Sequence, residues 1–104
     1  MNRNKTLEGL KGIWQTQEED SSAIIEISEK CGKPHVSVFD KFDGEKFKVT
    51  KVRLESGALS FEAYVPSTKY RTKHKLRLKS KNVIEQELTL IEKWARIIEG
   101  DANE

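Results

Sequence analysis

Tyr70, Thr72 and His74 recur at every second position of Y-R-T-K-H-K-L-R-L-K, and Gln86 and Glu92 follow one chain reversal later. A phenol, a hydroxyl, an imidazole, an amide and a carboxylate on one surface can do two kinds of chemistry. They can orient a small molecule with a few hydrogen bonds against an apolar wall, the usual makeup of a pocket. Glu92 near Tyr70 and His74 could also serve as an acid/base pair. No nucleophile is marked to accompany that pair, and the chain has no Gly-rich phosphate loop, Gly-x-Ser-x-Gly elbow or His-Glu-x-x-His motif. Two histidines and one cysteine argue against a structural zinc site. The expectation is binding without catalysis, with no metal and no cofactor. The competing expectation is that these polar groups satisfy one another in a filled core, since small barrels are often plugged by their own side chains.

Such residues act together only if the backbone sets them on one face. From Tyr70 to Lys79 the chain alternates without a fault, with Arg71, Lys73, Lys75, Arg77 and Lys79 on one side. Tyr70, Thr72, His74, Leu76 and Leu78 occupy the other, the signature of a half-buried strand. Leu76 and Leu78 suit a closed core, whereas Tyr70, Thr72 and His74 are costly to bury without partners, so that end is either networked or open to a ligand. A three-residue loop, Ser80, Lys81 and Asn82, with Asn82 left-handed, returns the chain as a strand from Val83 to Trp94. That register sets Arg77 opposite Glu85 and Lys75 opposite Glu87 outside. Inside, Leu78 meets Ile84, Leu76 meets Gln86, His74 meets Leu88, Thr72 meets Leu90 and Tyr70 meets Glu92.

The remaining chain reads as further hairpins. Phe47 and Val49, then Val52 and Leu54, change phase across Thr50 and Lys51, as a β-bulge would make them do. Ser56 and Gly57 turn the chain into Leu59, Phe61, Ala63 and Val65, an apolar face opposed by Ser60, Glu62 and Tyr64. Asp43-Gly44 marks a preceding hairpin, as a dipeptide tolerant of positive φ. Ile24 to Ser28 and His35 to Phe39 are strands joined around Cys31, Gly32, Lys33 and Pro34. The pattern leaves open whether Val36 and Val38 or Phe39 faces inward. A helical turn is expected only at Thr6 to Leu10.

Seven or eight short strands joined by tight turns must run antiparallel to their neighbours. Closing such a meander removes its edges, so an all-β up-and-down barrel is expected, with a β-sandwich as the alternative. The 104 residues make one domain, 1–104, and 36% hydrophobic residues leave only a thin core. The 35% charged residues alternate with apolar ones instead of forming blocks, which favours order. A net charge of +2 creates no global field that demands an acidic partner. The polar ends, 1–5 and 100–104, are expected to fray. No apolar run approaches a membrane span, and no secretory h-region opens the chain. With Cys31 alone, these features point to a reducing, cytoplasmic setting, an exported protein that has lost its signal being the alternative.

Gly12-Ile13-Trp14, following Leu7 to Lys11, resembles the Gly-x-Trp that opens the first strand of the lipocalins and their calycin relatives. The chain is similar to the small lipocalin-like domains of bacteria. The resemblance implies that Trp14 closes one end of a barrel and that a basic residue near the last strand packs across its ring. Arg96, just after Trp94, is placed for that role, and a guanidinium stacked on indole contributes about 0.5–2 kcal/mol. It further implies a hollow barrel that binds an apolar or amphipathic small molecule, with Tyr70, Thr72, His74, Gln86, Glu92, Phe61 and Ala63 around the cavity.

Three other surfaces suggest alternatives. Lys69, Arg71, Lys73, Lys75, Arg77, Lys79 and Lys81 form a cationic strip that could track a nucleic-acid backbone. Exposed aromatics for base stacking are missing from it, and Glu85 and Glu87 neutralise part of it, so a solvated face that guards against aggregation is the plainer reading. Some small calycin barrels inhibit proteases with an extended N-terminal arm, which would make Met1 to Leu10 a protein-interaction element. Cys31 is either an oxidisable thiol or a turn residue without chemistry.

Overall fold

The computed structural model describes residues 3–16 and 22–97. The ends expected to fray lie outside these, apart from residues 3–5, which open a helix. The order of elements is α1 (Arg3–Leu10), β1 (Gly12–Trp14), β2 (Ala23–Lys30), β3 (Lys33–Asp40), β4 (Lys48–Glu55), β5 (Ala58–Val65), β6 (Tyr70–Ser80) and β7 (Val83–Ile91). All paired strands are antiparallel and sequential, β1-β2-β3 in one sheet and β4-β5-β6-β7 in the other. The antiparallel all-β expectation therefore holds.

Local chemistry explains the reversals. Ser56 and Gly57, at φ 52° and 75°, both occupy the left-handed region that a two-residue hairpin requires. Cys31 and Gly32 do the same at φ 53° and 76°. The bulge falls where the hydrophobic phase changes. Thr50 pairs with Glu62 but Arg53 pairs with Ser60, and Lys51 between them has φ 56°. At Asp43-Gly44 only Gly44 is left-handed. The Asp40 carboxylate shapes that loop instead, accepting the amide N–H groups of Phe42 at 2.8 Å and Asp43 at 3.2 Å. Asn82 is not left-handed, contrary to expectation. The ladder closes at Ser80 and Val83 with an irregularity after Leu78, so the bulge absorbs the extra residue that Asn82 was expected to accommodate.

The two sheets share one core. Ile25, Ile27, Val36 and Val38 from the first meet Leu54, Leu59, Phe61, Ala63 and Leu76 from the second, with Leu7 and Leu10 of α1 among them. Val36 and Val38, not Phe39, are thus the buried pair of β3. The N-terminal segment is a helix with two buried leucines rather than an extended arm, because Leu7 and Leu10 lie three residues apart on one helical face.

Among the described residues the strands do not close into a barrel. The sheets meet at the β3–β4 corner through a single bridge, Phe39 to Lys46, and β7 pairs only with β6. A three-residue β1 offers β7 little to pair with. The radius of gyration is 16.8 Å, against about 13 Å for a compact domain of this length.

Candidate functional site

The β6–β7 pairing has the register that the alternation implied. Leu78 faces Ile84, Arg77 faces Glu85, Leu76 faces Gln86, Lys75 faces Glu87, His74 faces Leu88 and Thr72 faces Leu90. On the other side of β6, His74 faces Phe61 and Thr72 faces Ala63. Strand geometry therefore gathers Phe61, Ala63, Thr72, His74 and Gln86 onto one face.

His74 is the centre of this group. Its ring lies on that of Phe61, with centroids 4.7 Å apart and planes 7° from parallel. Nδ1 is 2.6 Å from Gln86 Oε1, and Nε2 is 2.7 Å from Thr72 Oγ1. Since a carbonyl oxygen only accepts, Nδ1–H donates to Gln86 and the Nε2 lone pair accepts the Thr72 hydroxyl. Burial holds the imidazole below its usual pKa, partly opposed by the bond to Gln86, so the ring is neutral near pH 7. Both ring nitrogens are committed, which leaves neither to form an acid/base pair with Glu92. Within this trio the His74 ring nitrogens are satisfied by Thr72 and by Gln86, which is itself exposed.

Tyr70 and Glu92 lie elsewhere. Tyr70 is 55% exposed, and the ladder ends at Arg71 and Ile91, one step short of the expected Tyr70–Glu92 opposition. Both residues instead line an open recess of about 490 Å³ with Tyr64, Lys69, Arg71 and Lys93. The Glu92 carboxylate accepts the indole N–H of Trp94 at 3.1 Å.

The expected stacking of Arg96 on Trp14 is not formed. Among the described residues the cations over rings are Lys41 over Phe42 and Arg71 over Tyr64. Arg96 is exposed because β7 ends at Ile91 and nothing returns the following residues to β1. Trp14, expected to close a barrel end, makes a local contact instead. Its indole N–H donates to the Leu10 carbonyl at 2.8 Å, capping the last turn of α1. Gly12, at φ 141°, permits the sharp passage from helix to strand.

Sequence reasoning missed that the far part of this face is uncovered. Leu88 is 56% exposed and Leu90 48%, beside Tyr70 on the inner side of β6–β7. Alternation assigns a side chain to a face without saying whether another layer covers it.

On the opposite face, Glu87 lies 3.6 Å from Arg77 and Glu85 lies 3.9 Å from Lys79, so acids of β7 pair with part of the cationic strip. Cys31 is exposed at its turn. Among the described residues no cluster of His, Cys, Asp and Glu could hold a metal ion, and no helix is long and apolar enough to cross a membrane. Compared with protein-family models, curated proteins and solved structures, the chain matches none.

Proposed function

We propose that this protein is a non-catalytic, lipocalin-like binding module that takes an apolar or amphipathic small molecule on the inner face of β5–β7. The observation that carries the reading is the row formed by Tyr70, Leu88 and Leu90, each about half exposed on one face beyond the packed core. Exposed apolar surface costs roughly 25 cal/mol per Å² until something covers it, and a ligand tail lying along these side chains would recover that free energy. The Thr72–His74–Gln86 network borders the row, and its two hydrogen bonds fix the His74 ring beside it. The Gly-x-Trp turn and the seven-strand antiparallel meander support the likeness to lipocalins.

Native mass spectrometry of the purified protein, followed by dye displacement with fatty acids and other amphipathic probes, tests this reading. A retained molecule or saturable displacement is the expected result. The bare chain mass, with no displacement by any probe, would overturn it.

A further inference from the structure

Free sheet edges invite pairing with other chains, and proteins guard them with short strands, prolines, bulges or charges. Among the described residues, three of the four sheet edges are guarded. β1 has only three residues. β3 carries Pro34, which lacks an N–H, and turns into the β3–β4 corner. β4 is broken by the bulge between Thr50 and Arg53. β7 differs from these. It runs for nine residues without a proline or a positive φ, and its ladder to β6 is regular from Ile91 to Ile84.

We propose that β7 pairs antiparallel with β7 of a second copy, about a two-fold axis through Thr89. The side chains select both the partner and the register. With Thr89 facing Thr89, Leu88 faces Leu90 of the other copy, Ile84 faces Trp94, and Glu85 faces Lys93. Each of these contacts except the central Thr89 pair occurs twice. Trp94, 88% exposed in the single chain, gains an apolar neighbour once pairing extends β7 past Ile91 to include Glu92, Lys93 and Trp94. Moving the axis to Leu90 sets Leu88 against Glu92 and Ile84 against Arg96. Moving it to Leu88 sets Ile84 against Glu92 and leaves Glu85 facing Ile91. An axis between two residues would place the apolar face of one copy on the polar side of the other. The Thr89 axis also sets Glu87 against Ile91 and Gln86 against Glu92, but of the three it alone joins two kinds of apolar pair inside, Leu88–Leu90 and Ile84–Trp94, to an opposite-charge pair outside, and it fuses two four-stranded sheets into one of eight. The dimer goes beyond the ligand reading: it shares Leu88 and Leu90 with that face but pairs through the backbone edge of β7 and is tested without ligand.

The test uses the full chain with Cys31→Ser, so that the native thiol cannot react. Residues that face themselves across an antiparallel pair have Cα atoms about 4.5–5.5 Å apart, within disulfide reach. Thr89→Cys is expected to give a covalent dimer under mild oxidation much faster than Ser56→Cys, a turn position remote from the axis. Sedimentation equilibrium supplies the second measurement. Lys93→Glu sets two carboxylates face to face at both ends of the interface and is expected to raise the dimer dissociation constant about tenfold. Adding Glu85→Lys restores it to within about threefold, the remainder reflecting the lost pair with Lys79. A chain that sediments as a monomer at high micromolar concentration, or Thr89→Cys cross-linking no faster than Ser56→Cys, would overturn the proposal.

Discussion

The imidazole of His74 lies flat against the ring of Phe61 at 4.7 Å, and Phe61 is itself 2% exposed. An imidazolium in that position would trade water for a hydrocarbon floor, which explains the depressed pKa. The folded-state value lies below the unfolded value of 6.5, so the unfolded chain binds the proton more readily. The stabilising effect of keeping His74 neutral is fully present above pH 6.5 and is lost as pH falls through the folded value. Urea midpoints measured from pH 8 to pH 5 are expected to drop for the native protein and to flatten in His74→Gln. Equal slopes in the two proteins would show that His74 is not the titrating group.

Asp40 has the same sign in a lower window. The Ser22 hydroxyl first, then the amides of Phe42 and Asp43, hold its carboxyl below the usual value of 3.8. Its contribution is therefore present above pH 3.8 and disappears as pH falls further. The two losses are separable because they occupy different pH ranges. In Asp40→Asn the His74 step is expected to persist while the acid step shrinks, which unfolding followed by circular dichroism from pH 7 to pH 2 would show.

The hinge from α1 into β1 rests on Gly12 and Trp14. A φ of 141° is essentially closed to residues with a Cβ, so Gly12→Ala is expected to cost about 1–3 kcal/mol. Trp14→Phe keeps most of the ring but loses the N–H donated to Leu10, a cost of about 0.5–1.5 kcal/mol before any change in packing. Both are read as shifts in urea midpoint at constant slope. If Trp14→Phe were neutral, the capping bond would have no part in holding the helix end.

Much of this fold is legible because strands encode themselves in alternation. The pairing of Arg77 with Glu85 and Leu78 with Ile84 follows from inner and outer faces alone, and the bulge shows in the phase change from Val49 to Val52. Closure is not encoded in that way. Whether β7 reaches β1 depends on the corner between β3 and β4 and on the length of β1, neither of which has a periodic signature. The site divides along the same line. The contact of His74 with Thr72 and Gln86 is short-range and follows from register, whereas the exposure of Tyr70 and the separation of Arg96 from Trp14 depend on how the sheets are placed.

The bulge also creates a testable electrostatic contact. Glu62 is 9% exposed, and the Lys51 ammonium lies 3.3 Å from its carboxylate. Lys51 reaches it from a left-handed residue of the bulge, at φ 56°. Lys51→Ala removes the cation and leaves the shielded carboxylate without its ion-pair partner, at a cost of about 1–3 kcal/mol. Lys51→Ala combined with Glu62→Gln is expected to recover part of that loss, since no charge is then left behind. A double-mutant cycle with no coupling would show the pair to be energetically idle.

Leu76 and Leu90 share one face of the same sheet but differ in what lies over them. Leu76 is 0% exposed and sits in the core, so Leu76→Ala is expected to cost about 2–5 kcal/mol. Leu90 is 48% exposed and Leu88 56%, so Leu88→Ser and Leu90→Ser should leave stability within about 0.5–1 kcal/mol of the native chain. If these leucines form the floor for an amphipathic ligand, the same two substitutions abolish dye displacement while the urea midpoint stays in place. Were they instead to lower stability as much as Leu76→Ala, the face would be covered in solution. Tyr70→Phe discriminates further, because it keeps the apolar ring and removes only the hydroxyl. Displacement that survives Tyr70→Phe but not Leu90→Ser assigns recognition to the apolar floor, whereas loss in both adds a hydrogen bond from Tyr70 to the ligand head.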